Sequence, residues 1–458
     1  MEKIQKNEIF RLEITDINNL GFGVGRYKSM VVFVPNAVSG DVIVAKAIKV
    51  ASSYAIGRIE EILTPSANRI KPKCSHNGCG GCAYRYVSYE EEKCIKKKYV
   101  EAAFKKERLT VTVADVTSDG KTVGYRNKAE YPIAYRDGKY EIGFFAPKSH
   151  RVVDCPDCSL QPHIFSEIIK KLKIEFKKRS YSVYDEKSET GLLRHVYLRI
   201  GEGTGEVSLT LVVTDDNVPD IETLAKNICN SFPCIVSFSL NINPEKTNVI
   251  CSEKYVNIRG RNYINDILCG IKLKITPASF YQVNHDMAQI LYRKAAELAG
   301  LDRTKTVADI YCGIGSIGLS MADKAKRLLG IEIVDSAVQC AKENAKENGI
   351  LNAVFYTGDA SDAKRFFAET VTHEGSFSPD VIILDPPRKG AAPELIDYIC
   401  NELKIEKAVY ISCNPDTLAR DARIFNKNGY TIGTVYPFDL FPRTGHVESV
   451  VLMSRVQK

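Results

Sequence analysis

The first 62 residues alternate apolar and polar positions in short runs that are separated by glycine and by Asn/Ser-rich turns. The runs cover residues 9–14, 21–27, 30–35, 41–50 and 55–63. Alternation with a period of two predicts β-strands, and five short strands in this space are typical of a small barrel of the oligonucleotide-binding type. We therefore expect an N-terminal β-barrel over residues 1–62.

A helical pattern follows at residues 88–107, with Ile95, Val100, Ala103 and Phe104 on one side. The helix also carries a run of lysines, which are Lys96, Lys97, Lys98, Lys105 and Lys106. Lysines of this kind usually form a solvated face, so we expect them to point away from the core and to add to a basic surface.

The rest of the chain shows two different patterns of predicted strands and helices. Between residues 110 and 275, β runs alternate with two helical stretches, and Asp137-Gly138 is a hairpin signal, which together predict a mixed, mostly antiparallel domain. From residue 286 onward, strand, loop and helix repeat several times, which predicts a doubly wound, mostly parallel sheet. The expected fold class is α/β, with domains at residues 1–62, 63–275 and 276–458.

Composition narrows the class of protein. A chain of 458 residues with 44% apolar and 26% charged residues is expected to fold as two or three globular domains. Its net charge of +7 permits a polyanionic partner without requiring one. We see no signal peptide and no apolar run that could span a membrane, so we expect a cytoplasmic protein whose 14 cysteines are buried, catalytic or metal-bound rather than disulfide-linked.

A glycine loop follows the predicted strand at residues 306–311. Gly313, Gly315 and Gly318 let the backbone turn tightly and approach a ligand at a helix N-terminus, and Glu332 lies where an acidic residue commonly binds ribose hydroxyls. This GxGxxG pattern fits NAD and S-adenosylmethionine equally well.

The residues at the ends of two later predicted strands favour S-adenosylmethionine over NAD as the bound cofactor. Asp385-Pro386-Pro387-Arg388 ends one strand and Cys413 ends the next, so both face the crevice where such sheets bind ligands. Cys413 should lie at a strand-to-helix turn, where a helix dipole can favour the thiolate. Glu448 begins an apolar strand after a loop that contains Arg443 and His446, a place where a carboxylate is costly to bury without a function.

A cysteine cluster forms a second candidate site. Cys74, Cys79 and Cys82 lie within nine residues, and Cys155 and Cys158 follow in a second loop. Four thiolates from two loops suit an iron–sulfur cluster or zinc, and Cys79, Cys82, Cys155 and Cys158 make a plausible zinc set.

Five motifs in order resemble the RNA 5-methyluridine methyltransferases, most closely the branch that acts on 23S ribosomal RNA. They are FYQVN (residues 280–284), the glycine loop, DPPRKG (385–390), SCNP (412–415) and GHVESV (445–450). The resemblance implies an N-terminal TRAM domain that contacts RNA, a nucleophile at Cys413 and a base at Glu448. It also implies S-adenosylmethionine contacts from Gln282, Tyr311, Glu332 and Asp385, with Asp359 near the adenine and Gly313 and Gly315 in the binding loop.

The same resemblance implies a [4Fe-4S] cluster on Cys74, Cys79, Cys82 and Cys158, although the first spacing is one residue shorter than in the family pattern. The expected activity is methyl transfer from S-adenosylmethionine to C5 of a uridine in RNA, by a monomer that uses no DNA. The alternatives are the same chemistry on transfer RNA or on cytidine C5, and a non-enzymatic RNA-binding iron–sulfur protein with an inactive methyltransferase fold.

Overall fold

The computed structural model describes residues 4–374 and 378–456 of the chain. Its N-terminal part is a six-stranded sheet with strand order β1-β5-β6-β4-β3-β2. The strands are β1 (Ile9–Glu13), β2 (Asp16–Ile17), β3 (Phe22–Tyr27), β4 (Met30–Pro35), β5 (Val42–Val50) and β6 (Tyr54–Thr64). The five predicted strands are present, and the two-residue β2 is an addition. Inward-facing residues such as Leu12, Val34 and Ile43 form the core of this part.

Helix α1 (Tyr89–Lys106) lies where the sequence predicted it, and Ser88 caps its N-terminus. The prediction that its lysines are solvated is wrong for Lys96, which is 1% exposed. The reason is that Lys96 Nζ contacts a carboxylate oxygen of Glu92, one helical turn away, and one of Asp439, at 2.8 and 2.7 Å. The Asp439 contact cannot be seen in the local pattern. Asp439 is 343 residues away in sequence.

The central part is a seven-stranded, mixed sheet with strand order β13-β12-β11-β10-β7-β8-β9. Its strands are β7 (Lys128–Arg136), β8 (Lys139–Phe145), β9 (Val152–Asp154), β10 (Leu193–Ile200), β11 (Val207–Val213), β12 (Ile235–Ile242) and β13 (Tyr255–Gly260), and its helices are α2 (His163–Arg179) and α3 (Ile221–Ser231). Among the described strands of this sheet, only β11 and β12 pair in parallel. The predicted hairpin turn is confirmed, with positive φ at Asp137 (50°) and Gly138 (75°). A separate hairpin of β14 (Ile264–Leu268) and β15 (Ile271–Ile275) follows.

The C-terminal part is a doubly wound sheet with strand order β18-β17-β16-β19-β20-β22-β21. Its strands are β16 (Thr306–Ile310), β17 (Arg327–Glu332), β18 (Ala353–Thr357), β19 (Val381–Leu384), β20 (Lys407–Ser412), β21 (Tyr430–Phe438) and β22 (Glu448–Arg455). Its helices are α4 (His285–Ala299), α5 (Ser316–Leu319), α6 (Asp335–Glu347), α7 (Ala363–Glu374), α8 (Pro393–Asp397) and α9 (Pro415–Lys427). Strands β16 to β20 are parallel, and β22 enters antiparallel between β20 and β21.

Two apolar layers cover the two faces of this sheet, as a doubly wound fold requires. Chain order reverses between β16 and β19, which creates the crevice where such sheets bind ligands. The predicted α/β class is therefore confirmed. The domain boundaries at residues 62 and 275 stay predictions. The first and last predicted domains also include residues 1–3 and 457–458, which lie outside the described part of the chain. Across the described residues, no helix is long and apolar enough to cross a bilayer.

Candidate active site

The glycine loop joins β16 to α5 in a backbone that side chains rarely tolerate. Tyr311 has a φ of 73°, and Gly313 and Gly315 have φ values of 55° and 80°. The Glu332 carboxylate at the end of β17 accepts a hydrogen bond from the Gly313 N–H at 3.1 Å. Strain at a bulky residue such as Tyr311 is typical of functional loops. The loop and Glu332 thus form one unit at the crevice.

Asp309 lies beneath this loop and could not be singled out from the sequence by the motifs above. Its side chain is fully buried, and one carboxyl oxygen accepts the Gly318 N–H at 2.9 Å. The other oxygen has no hydrogen-bond partner among the described residues. Burial raises the pKa of Asp309 to about 7. The available signal was an acidic residue inside the apolar strand TVADI.

Asp385 follows β19 directly and faces the crevice, at the point where the chain order of the strands reverses between β16 and β19. Burial raises the pKa of its carboxyl to about 7, and the Asp309 charge adds to the effect. Arg388, three residues later, is exposed, and its guanidinium opposes the pKa increases of Cys413 and Glu448.

Cys413 lies between the end of β20 and the start of α9, at the predicted strand-to-helix turn. Asn414 caps α9 by accepting the Asp416 N–H at 3.1 Å. The helix N-terminus does not leave Cys413 as a thiolate, because burial, followed by the charges of Glu448 and Asp385, raises the thiol pKa to about 11. Without ligands, the thiol is therefore protonated at neutral pH.

Glu448 is the first residue of β22, as the sequence predicted, and is 3% exposed. It pairs with Phe438, the last residue of β21. Burial raises the pKa of its carboxyl well above the usual range, Asp385 raises it further, and Arg388 opposes the increase.

A single cavity of about 860 Å³ collects most of the residues that the sequence singled out. Its wall includes Gln282, Tyr311, Gly313, Glu332, Asp359, Asp385, Cys413 and Glu448. Gly315 does not line this cavity and is the N-cap of α5. The volume falls in the range of small-molecule and cofactor sites. The carboxyl edge of the sheet therefore brings together residues that are up to 166 positions apart in sequence.

The FYQVN segment supplies one side of the cavity and is held by Asn127, which no sequence motif marked. Buried Asn127 donates from its side-chain amide to the Gln282 carbonyl and from its backbone N–H to the Val283 carbonyl, both at 2.8 Å. Phe280 remains 70% exposed and lines the cavity. It is therefore available to stack on a base.

The cysteine cluster borders the same cavity, whose wall also includes Cys74, Cys79, Cys82, Cys155 and Cys158. The Cys155 thiol contacts those of Cys79 and Cys158. In the part of the chain that the structure describes, no group of three or more His, Cys, Asp or Glu side chains is arranged to hold a metal ion. The predicted [4Fe-4S] cluster and the zinc alternative thus stay predictions.

Comparisons with known proteins agree with this geometry. The sequence profile of the tRNA (uracil-5-)-methyltransferase family matches residues 88–456, and that of the TRAM domain matches residues 3–59. An uncharacterised RNA methyltransferase from Clostridium tetani is 37% identical over 453 residues, which cover 98% of this chain and 97% of the relative. A similarly named protein from Bacillus cereus is 38% identical over 459 residues, covering 99% and 98%.

A solved structure extends the likeness to three dimensions. The tRNA (uracil-54, C5)-methyltransferase of Pyrococcus abyssi, in complex with S-adenosyl-L-homocysteine, superposes with a TM-score of 0.78 at 28% identity and covers 97% of this chain and 99% of its own. The family profile spans most of the chain, from α1 to the end of β22. The chain therefore belongs to the tRNA (uracil-5-)-methyltransferase family, as an S-adenosylmethionine-dependent RNA methyltransferase with an N-terminal TRAM domain.

Proposed function

We propose that this enzyme methylates C5 of a uridine through a covalent adduct between Cys413 and C6 of the base. The observation that carries the proposal is that the Cys413 thiol and the Glu448 carboxyl line one cavity. A nucleophile for C6 and a base for the C5 proton within one pocket are what C5 methylation requires.

The first step activates the base. Uracil C5 is a poor carbon nucleophile, so the sulfur of Cys413 adds to C6 and the ring becomes an enolate. The thiol must release its proton to solvent for this addition, and burial opposes that loss. Arg388 favours the thiolate, and S-adenosylmethionine, when bound, would supply a sulfonium cation that favours it further.

The second step forms the new bond. The C5 carbanion attacks the methyl group of S-adenosylmethionine, the C–S bond of the sulfonium breaks, and S-adenosylhomocysteine leaves as a neutral thioether. Asp385, Glu332, Gln282 and Tyr311 are proposed to hold the cofactor, with Asp359 at the adenine end and Gly313 and Gly315 in the backbone cradle. All but Gly315 line the cavity.

The third step releases the product. Glu448 takes the proton from C5, the electron pair forms the C5–C6 double bond, and the bond from C6 to the Cys413 sulfur breaks. The target uridine must leave its RNA helix to reach this buried pocket, and exposed Phe280 can stack where the base had been.

Cytidine C5 is the alternative target, because it is activated by the same thiolate addition. The test uses RNA labelled with tritium at C5 of either uridine or cytidine. The proposal expects methyl-dependent tritium release from uridine alone. Release from cytidine alone would contradict it.

The proposed RNA is 23S ribosomal RNA, on the strength of the cysteine cluster that resembles that branch of the family. Transfer RNA is the second candidate, because the Pyrococcus abyssi relative is named for a transfer RNA uridine. Mass-spectrometric mapping of 5-methyluridine in both RNAs from a deletion strain separates the two. As part of the same proposal, the enzyme acts as a cytoplasmic monomer.

The cluster proposal assigns Cys74, Cys79, Cys82 and Cys158 as ligands of a [4Fe-4S] cluster. The donor set fits, because five thiols from two loops line one wall of the cavity and four thiolates are what such a cluster needs. When present, the cluster would cross-link the two loops, and no catalytic step depends on it here.

A further inference from the structure

The loop that leads into Glu448 forms hydrogen bonds with several distant segments of the chain, in addition to those within the loop. We name residues 439–447 the presenting loop, because they join β21 to the first residue of β22. Phe441 from this loop lines the catalytic cavity. The position of the Glu448 carboxyl therefore depends on what holds the presenting loop.

Consecutive backbone groups of the presenting loop are hydrogen-bonded by side chains or backbone groups from distant segments. The Leu440 carbonyl accepts a hydrogen bond from the Asn284 side-chain amide at 3.2 Å, and the Phe441 carbonyl accepts one from Lys96 Nζ at 3.1 Å. The Pro442 carbonyl accepts a hydrogen bond from the Tyr125 hydroxyl at 2.9 Å. Arg443 forms two such bonds, because its carbonyl accepts from the Tyr84 N–H at 3.1 Å and its N–H donates to the Glu92 carboxylate at 2.6 Å. The N-terminal part also reaches this loop, since a Cβ added to Gly445 would lie 1.7 Å from the Asn19 carbonyl oxygen.

Lys96 is the centre of this arrangement. Its ammonium group binds Asp439 and the Phe441 carbonyl, both in the presenting loop, and Glu92 on its own helix. The side chains of Lys96, Glu92 and Asp439 are all fully buried. One cation thus fixes the start of the loop to α1 inside the protein.

The groups around Lys96 come from every element that packs there. Tyr89 of α1 donates from its hydroxyl to the second Asp439 oxygen at 2.9 Å, and the Tyr84 ring lies 5.8 Å from the ammonium nitrogen. Arg443 of the presenting loop donates from its guanidinium to the Val87 carbonyl at 2.8 Å. Two anions, Glu92 and Asp439, face two cations, Lys96 and Arg443, so the buried charges balance.

We infer that Lys96 is a positioning residue for the proton-removal step, which holds the presenting loop so that Glu448 reaches C5 of the methylated uridine. The inference rests on the proposed roles of Cys413 and Glu448, and it predicts a defect in product release rather than in cofactor binding.

The test compares Lys96→Met, Asp439→Asn and wild-type full-length enzyme. Asp439→Asn keeps the Lys96–Glu92 pair. If Lys96→Met does not fold, the test is decided by Asp439→Asn. Arg423→Gln is the matched control, because Arg423 pairs with Glu107 at 3.0 Å and so joins α1 to α9 away from the presenting loop.

Two readouts are measured. The first is the decay of the methylated covalent adduct on denaturing gels, which should slow at least tenfold in the network variants while the affinity for S-adenosylmethionine changes less than twofold. The second is hydrogen exchange of residues 439–447 in the RNA-free protein, which should be at least tenfold faster. The control should match wild type in both.

Wild-type exchange of the presenting loop in Asp439→Asn would overturn the inference, and so would equal losses of cofactor binding and methyl transfer. Failure of the proposed function has a different signature, because it would appear as wild-type turnover in Cys413→Ala or Glu448→Gln. The exchange measurement needs neither RNA nor catalysis, so even in that case it decides whether Lys96 and Asp439 hold the presenting loop in place.

Discussion

At the scale of single residues, the site contains two carboxyl groups, fully buried Asp309 and half-buried Asp385, whose pKa values are raised toward 7. Asp309 and Asp385 lie on neighbouring strands at the switch point, and each has its pKa raised to about 7. Neither shift could be predicted from the sequence, because each arises mainly from burial in the folded sheet. The position of Asp385 at a strand end, by contrast, followed from the strand pattern alone.

Asp309 should make the ligand-free protein less stable as the pH rises. Its folded pKa lies above the ordinary value of 3.8, so its contribution to stability is complete below that value and is lost as the pH rises through 7. At about 1.4 kcal/mol per pKa unit, the full loss is roughly 4 kcal/mol. Asp309→Asn keeps an acceptor for Gly318 but removes the titration. We expect its unfolding free energy, measured with urea, to gain about 2–3 kcal/mol relative to wild type between pH 5 and pH 8. A constant difference would contradict this.

Asp385 should make cofactor binding depend on pH in the opposite sense. S-adenosylmethionine carries a net positive charge, and only the ionised carboxylate attracts it. We expect calorimetric affinity to rise from pH 5.5 to pH 7.5, by at most about tenfold per unit below the pKa of about 7. Asp385→Asn should bind more weakly with a flat profile. Equal wild-type affinities at both pH values would remove Asp385 from the cofactor site.

At the scale of elements, strands were predictable where alternation or apolar runs were long enough. The five parallel strands of the C-terminal sheet and the hairpin at Asp137 are local features, so local pattern sufficed. Strand β2 has only two residues, which is too short for a period to show. The prediction of a solvated Lys96 was wrong for a different reason. One of its two carboxylate partners, Asp439, lies in the presenting loop, and this tertiary contact overrides the usual preference of lysine for solvent.

The N-terminal sheet should supply phosphate contacts to the RNA. Its exposed cations include Arg11, Arg26 and Lys49. Point substitutions are preferable to deletion, because the N-terminal part packs against Gly445 and its removal would disturb the presenting loop. The triple alanine variant should weaken RNA binding and reduce the salt slope by about 0.7 for each phosphate that these side chains no longer neutralise. Lys170→Ala on α2 is the control, as this lysine is 54% exposed. An unchanged slope in the triple variant would make the sheet purely structural.

At the scale of the whole molecule, one cavity joins the methyltransferase sheet to the cysteine loops of the central part. Sequence spacing found both groups of residues but could not show that they share a wall, because that depends on how the central part packs against the crevice. The proposed metal content can be measured directly.

Enzyme purified without air should be brown and contain iron, because four thiolates with little competing histidine favour a cluster. Cys158→Ser should lose the iron, whereas Cys155→Ser should keep it. Iron content and the visible absorption spectrum are the measurements. One equivalent of zinc without iron would contradict the cluster, and iron loss only in Cys155→Ser would move the fourth ligand to Cys155.

The order of catalytic events is tested most directly by trapping RNA on the enzyme with tritium-labelled S-adenosylmethionine. Glu448→Gln leaves addition and methyl transfer possible but blocks removal of the C5 proton, so methylated RNA should accumulate on the protein as a labelled band that survives denaturing electrophoresis. Cys413→Ala and the double variant should show no such band and no methylated product, while still binding S-adenosylmethionine. Wild-type turnover in Glu448→Gln, or a covalent band that persists in Cys413→Ala, would contradict the assignment of these two residues.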